Sequence, residues 1–269
     1  MSTPVICAYA RTPFGRFRGA LANYTAVELG TLAVEGVLER AGIDPHSGII
    51  DQVYMGQVLQ AGTGQAPARQ VAIAAGLPYS TPCTTVNKVC GSSLKAVMVA
   101  ATEIMAGRSN VVIAGGMESM SQAPHFIRGA RRGDEISFAE LTGILSHDGL
   151  KDAYDGSMMG ITGETIAKEA DISRSESDRY ALRSHTLSDS AWENGWLAEE
   201  VVSIDELERD EGIRIDTSIE GLAGLRNVFK DDGQVTAGNA SQVSDGGSAV
   251  LIASEEIAVS YTHLRAHET

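Results

Sequence analysis

Apolar positions along the chain keep switching between two rhythms, one suited to strands and one to helices. Residues 5–10 form a short, mostly apolar run ended by Arg11-Thr12-Pro13, which predicts a first strand. Over residues 25–41, Ala26, Leu29, Ala33, Val37 and Leu38 recur at helical spacing, and Gly42 supplies the stop. Residues 50–55 predict the next strand. Residues 65–75 predict a short helix with small packing positions at Ala66, Ala68, Val71 and Ala72. Residues 83–89 then lead into a helix over 94–106, with Leu94, Val97, Met98 and Ala101 on one face. Val111-Val112-Ile113 marks a continuously apolar strand over 110–114, as expected of a sheet covered on both faces. Ala249-Val250-Leu251-Ile252 marks a last core strand over 248–253. Such alternation predicts a layered α/β domain.

Between Met117 and Gly238 the texture changes. Arg128, Arg131, Arg132, Asp134 and Glu135 cluster, and glycines interrupt the periodicity. One strong helix stands out over 174–194, opened by the capping-box pair Ser173 and Glu176 and closed by Gly195. The whole stretch, about 117–238, reads as a loop domain inserted into a core made of 1–116 and 239–258. Residues 259–269 hold two of the chain's six histidines and none of the earlier patterning. They read as a disordered or foreign tail.

Composition narrows the function classes. A chain of 269 residues, 43% hydrophobic and 21% charged, is that of an ordinary globular protein. Its formal net charge of −14 argues against nucleic acid or anionic membrane surfaces as partners. Cys7, Cys83 and Cys90 show no paired or zinc-ligand spacing, which predicts a reducing, cytoplasmic setting and no metal. No window approaches the ~18 apolar residues of a membrane span, and the first residues lack a charged, apolar leader pattern.

The candidate chemistry lies around Cys90. Thr84-Thr85-Val86 is β-branched and strand-like, Gly91-Ser92-Ser93 permits a tight turn, and good helix formers follow from Leu94. Cys90 is thereby placed at a strand-to-helix junction, where unpaired N–H groups and the helix dipole favour a negative sulfur. Strained turns of this kind present nucleophiles above sheets. A structural cysteine would instead be surrounded by Leu or Val.

Asn87-Lys88-Val89-Cys90-Gly91-Ser92-Ser93-Leu94-Lys95-Ala96 resembles the acyl-enzyme signature of thiolases, the acetyl-CoA acetyltransferases and 3-ketoacyl-CoA thiolases. Further blocks agree: Ala10-Arg11-Thr12-Pro13-Phe14-Gly15, Gly115-Gly116-Met117-Glu118-Ser119-Met120-Ser121, Asp148-Gly149-Leu150 with Met158-Met159-Gly160, and Val235-Thr236-Ala237-Gly238-Asn239-Ala240-Ser241 followed by Asp245-Gly246. The resemblance runs from Met1 to about Ala258. It implies a thiolase-like fold with a mixed sheet covered by helices, and CoA thioesters as substrates with no bound cofactor. Cys90 would be the acylated nucleophile, with its own N–H as an oxyanion donor. By the same resemblance Leu150, Met158 and Met159 line the pantetheine channel, Ala237 and Ser241 contact pantetheine, and Arg214 stacks on the adenine. Glu118 would hold loops by accepting backbone hydrogen bonds. Homodimers or homotetramers are implied as well.

The departures matter equally. Thiolases also use an Asn from an N-E-A-F block, a His from G-H-P and a second Cys from C-G-G-G, and none of these blocks occurs here. His125, His147 and Cys83 stand in the wrong context to replace them. The expectation is an N-terminal half, inactive by itself in carbon–carbon chemistry. The alternative is a non-catalytic CoA-binding or assembly fragment.

Overall fold

The computed structural model describes residues 2–130, 133, 137–205 and 207–260. Arg131, Arg132, Asp134 and Glu135 of the charge cluster, and positions 261–269 of the tail, lie outside the described residues. The chain divides into two units. One takes in Met1–Pro124, Glu200–Glu211 and the chain from Ser244, the other His125–Glu199 and Gly212–Val243.

The first unit is built on one sheet: β1 (Pro4–Arg11), β2 (Gly15–Arg16), β3 (Gln52–Gly56), β4 (Cys83–Val86), β5 (Val111–Ser119) and β8 (Ser244–Ser254). Its order is β1-β8-β5-β3-β4, with the short β2 paired to β8. β8 runs antiparallel to both β1 and β5, while β3 is parallel to β5 and β4, so the sheet is mixed. Helices α1 (Ala26–Ala41) and α2 (Pro67–Ala74) cover one face. There Val34, Val37 and Val71 meet Val53, Met55, Val111, Ile113 and Leu251. Helix α3 (Ser92–Met105) covers the other, where Ala96, Ala100 and Ile104 meet Tyr54, Val112, Ala114 and Ile252. The two sets alternate along β5, as a strand buried on both faces requires. Thr25 and Glu28 form a capping box at the start of α1, and Gly42 closes it in the left-handed region. The last described element is α7 (Glu255–Ser260).

The buried side of α3 differs from the one its apolar pattern predicts. Leu94 and Met98 are 68% and 54% exposed, and the smaller Ala96 and Ala100 face the sheet. The cause is close approach. A Cβ on Gly56 would lie 2.5 Å from the Ser93 nitrogen, and one on Gly116 would lie 2.6 Å from the Ser93 Cβ. A helix whose first turn is seated this tightly has room there only for small inner-face residues, Ala96 and Ala100, while Ile104 fits farther along.

The second unit holds β6 (His125–Phe126) paired with β7 (Thr142–Gly143), and the helices α4 (Met159–Glu169), α5 (Arg174–Glu193) and α6 (Ile219–Ala223). Ser173 and Glu176 form the expected capping box on α5. The boundaries read from sequence differ in three places. Residues 117–124 group with the first unit because β5 continues through the glycine pair to Ser119. Glu200–Glu211 also groups there, since Arg11 binds Glu200 and Asp210 at 2.7 and 2.6 Å and exchanges backbone bonds with Glu200 and Val202. Residues 239–243 fall in the second unit.

Candidate functional site

In the first unit, Cys90 stands between β4 and α3, and its side chain is exposed. Its neighbour Val89 has φ of +49°, in the left-handed region that a β-branched residue rarely enters. Such a conformation costs roughly 1–3 kcal/mol and persists only where its surroundings dictate it. Here they do. The Val89 N–H donates to Asn87 Oδ1 at 3.0 Å, and its carbonyl accepts from the Ser92 hydroxyl at 2.6 Å and the Ser92 N–H at 3.1 Å. Ser92 Oγ in turn accepts from the Lys88 N–H at 2.8 Å. This is a strand–turn–helix junction of the kind the sequence predicts, with the Cys90 side chain exposed.

Glu118, near the end of β5, lies beneath the loop that follows β3. Its carboxylate accepts the N–H of Val58 at 2.8 Å and that of Leu59 at 3.3 Å. Burial pushes its carboxyl above the usual range against the pull of these two donors, and Asp245 adds to the push. The loop-holding bonds expected of it are present.

The second unit holds a cavity of about 190 Å³ bordered by α5, α6 and residues 236–240. Its walls are set by Arg174, the first residue of α5. That guanidinium donates to Asp178 Oδ2 at 2.8 Å and to the carbonyls of Leu222 and Leu225 at 2.6 and 3.1 Å. The other oxygen of the buried Asp178 accepts from Asn239 Nδ2 at 2.9 Å, and Asn239 Oδ1 accepts the Thr236 N–H at 2.8 Å. One ion pair thus fixes both α6 and the Thr236–Asn239 turn. Glu164 on α4 fixes the approach to that turn, accepting the N–H groups of Gln234 and Val235.

Arg214 and Ala237, both predicted contacts, line this cavity together with His185, Ser218 and Gln242. Leu150, Met158, Met159 and Ser241 belong to the same unit but do not line it. Leu150 ends a π-helical turn, Leu145–Leu150; Met158 is the N-cap of α4, with Met159 its first residue; and Ser241 is exposed. His185 was not singled out from the sequence, because it sits in a polar helix with no spacing to mark it. Its Nδ1 accepts the Arg214 N–H at 3.2 Å, and burial followed by the Arg214 charge lowers its pKa.

The substitute groups weighed from sequence have other partners. His147 Nδ1 lies 2.6 Å from Asp148 Oδ1, with its ring edge-on to Phe126. Cys83 is half-buried, its thiol donates to the Thr81 carbonyl, and burial pushes it up against the influence of Arg69. Among the described residues, no helix is long and apolar enough to cross a membrane.

The model of the thiolase N-terminal domain matches residues 4–256. An acetyl-CoA acetyltransferase of Chromobacterium violaceum is 46% identical over 260 residues, which are 93% of this chain and 66% of that protein. A probable acetyl-CoA acetyltransferase of Escherichia coli is 45% identical, covering 95% of this chain and 66% of its own length. The mitochondrial acetyl-CoA acetyltransferase of Danio rerio is 42% identical, over 94% and 62% respectively. The chain therefore spans just under two thirds of these relatives. With the family model matching residues 4–256 and relatives above 40% identical over nearly the whole chain, the chain belongs to the thiolase family, through that family's N-terminal domain.

Proposed function

We propose that this chain captures acyl groups from CoA thioesters on Cys90. The sulfur attacks the thioester carbonyl carbon, the bond from that carbon to the CoA sulfur breaks, and the proton of the Cys90 thiol leaves on CoA. The product is an acyl-cysteine, which splits a difficult acyl transfer into two steps. The observation that carries this reading is the Val89–Ser92 turn, which spends backbone strain to hold an exposed thiol before a helix. The cavity of the second unit, at about 190 Å³, is smaller than the ~300–1,000 Å³ of typical small-molecule sites and suits a compact group. Arg214 offers a planar cation there for the adenine end of CoA. Leu150, Met158, Met159, Ala237 and Ser241 would follow the pantetheine arm. The overall reaction is thiolase chemistry, condensation of acetyl-CoA or thiolysis of 3-ketoacyl-CoA, carried out in the cytoplasm by a homodimer or homotetramer. Acyl capture is the half-reaction assigned to Cys90.

The test is intact-mass measurement after incubation with acetyl-CoA. A single acetyl adduct that is absent from Cys90→Ser is the expected result. CoA binding without any adduct would favour the non-catalytic binding reading instead.

A further inference from the structure

We propose that Glu118 is a positioning residue for Cys90, acting through the Val58–Leu59 loop and Asn87. Glu118 does not touch the thiol. It grips the main chain of Val58 and Leu59 from below, and that loop has two further attachments, both to the nucleophile segment. The Gln57 N–H donates to the Val86 carbonyl at 3.0 Å, and Asn87 Nδ2 donates to the Val58 carbonyl at 3.4 Å. The same Asn87 side chain accepts the Val89 N–H, the bond that helps hold Val89 at positive φ. One path of bonds therefore runs from a half-buried carboxylate to the residue before Cys90, entirely within the first unit.

The chemistry of the links explains why a carboxylate stands at this position. Charge-assisted bonds to N–H groups are shorter and stronger than neutral ones. A desolvated carboxylate also cannot let its donors go without a penalty. The loop is thereby held to β5 more firmly than the exposed Asn87 alone could hold it. Asn87 then has a fixed carbonyl to donate to, which orients its Oδ1 toward Val89. Without that anchor, Val89 can relax to an extended backbone, and the Cys90 N–H and sulfur turn away from a common carbonyl. A displacement of about 1 Å at a reacting centre can cost on the order of 100-fold in rate.

The test compares wild type, Glu118→Gln, Asn87→Ala and the double variant by two readouts. Hydrogen–deuterium exchange should rise over 57–60 and over 86–92 in Glu118→Gln, but only over 86–92 in Asn87→Ala. Acetylation of Cys90 by acetyl-CoA should slow about tenfold or more in each single variant. Alkylation by iodoacetamide, which needs only an accessible thiol, should stay near the wild-type rate. The double variant should be no slower than the slower single one, because both break one path. Exchange confined to 57–60 in Glu118→Gln would overturn the proposal. So would acetylation and alkylation falling together, or the two losses multiplying. If Glu118→Gln does not fold, Glu118→Asp, which keeps the charge and shortens the reach, makes the same comparison. The acetylation arm rests on the acyl-capture reading. If wild type takes up no acetyl group that reading fails, while the exchange pattern still decides the role of Glu118.

Discussion

Single residues set both the reactivity and the acid response of the first unit. Because burial holds the Glu118 carboxyl above its ordinary range, the folded chain binds that proton more tightly than the unfolded chain does. The resulting stabilisation is complete below the ordinary glutamate pKa and is lost as pH rises through the raised value. Urea unfolding of wild type and Glu118→Gln should therefore show a stability difference that is flat at neutral pH. The difference should shift in favour of wild type as pH falls through the window just above the ordinary glutamate range. A difference that stays constant across that window would show the carboxyl to be unperturbed. The exposed position of Cys90 was legible in the sequence because Gly91, Ser92 and Ser93 crowd a site where a core cysteine would have large apolar neighbours. The backbone of Val89 was not legible. A β-branched residue argues locally for a strand, and only Asn87 and Ser92 together force it to positive φ. His185 likewise became visible only when folding brought Arg214 beside it.

At the scale of elements, the seat of α3 is the decisive packing event, and it rests on two glycines of neighbouring strands, Gly56 at the end of β3 and Gly116 within β5. Gly56→Ala places a methyl 2.5 Å from the Ser93 main-chain nitrogen, an atom that cannot move without shifting the helix and the turn before it. Overpacking of this kind costs about 1–3 kcal/mol. The expected result is a urea midpoint lowered accordingly at unchanged m-value, with slower acetylation of Cys90. A variant as stable as wild type would mean that the helix has slack. Several elements could be read from the hydrophobic rhythm, since α1, β5 and β8 carry periodic or continuous apolar patterns, and α5 from its capping box. The buried side of α3 could not. Its larger residues pointed to one face, but the space left by the strand glycines admits only Ala96 and Ala100 against the sheet.

At the scale of the whole chain, the two units can be followed separately. Both tryptophans, Trp192 and Trp196, belong to the second unit, so indole fluorescence reports on that unit alone. Asp178→Ala removes the buried carboxylate that holds both Arg174 and Asn239, at a cost of about 1–3 kcal/mol. The fluorescence-monitored unfolding midpoint should fall steeply, and CoA affinity should fall with it as α6 and the Thr236–Asn239 turn lose their common anchor. An unchanged midpoint would show that the cavity walls stand without that pair. The existence of an inserted unit was visible in the sequence as a change of texture. The return of Glu200–Glu211 to the first unit was not, because it depends on Arg11 reaching residues almost two hundred positions later. The place of β8 has its own consequence for biosynthesis. The strand that joins β1 to β5 is Ser244–Ser254, far along the chain, so among the described residues β1 has no partner in the sheet until that strand has left the ribosome. Closure of the sheet is therefore late and non-local, and a nascent chain halted before Ser244 carries two open strand edges that invite capture by chaperones or by other nascent chains.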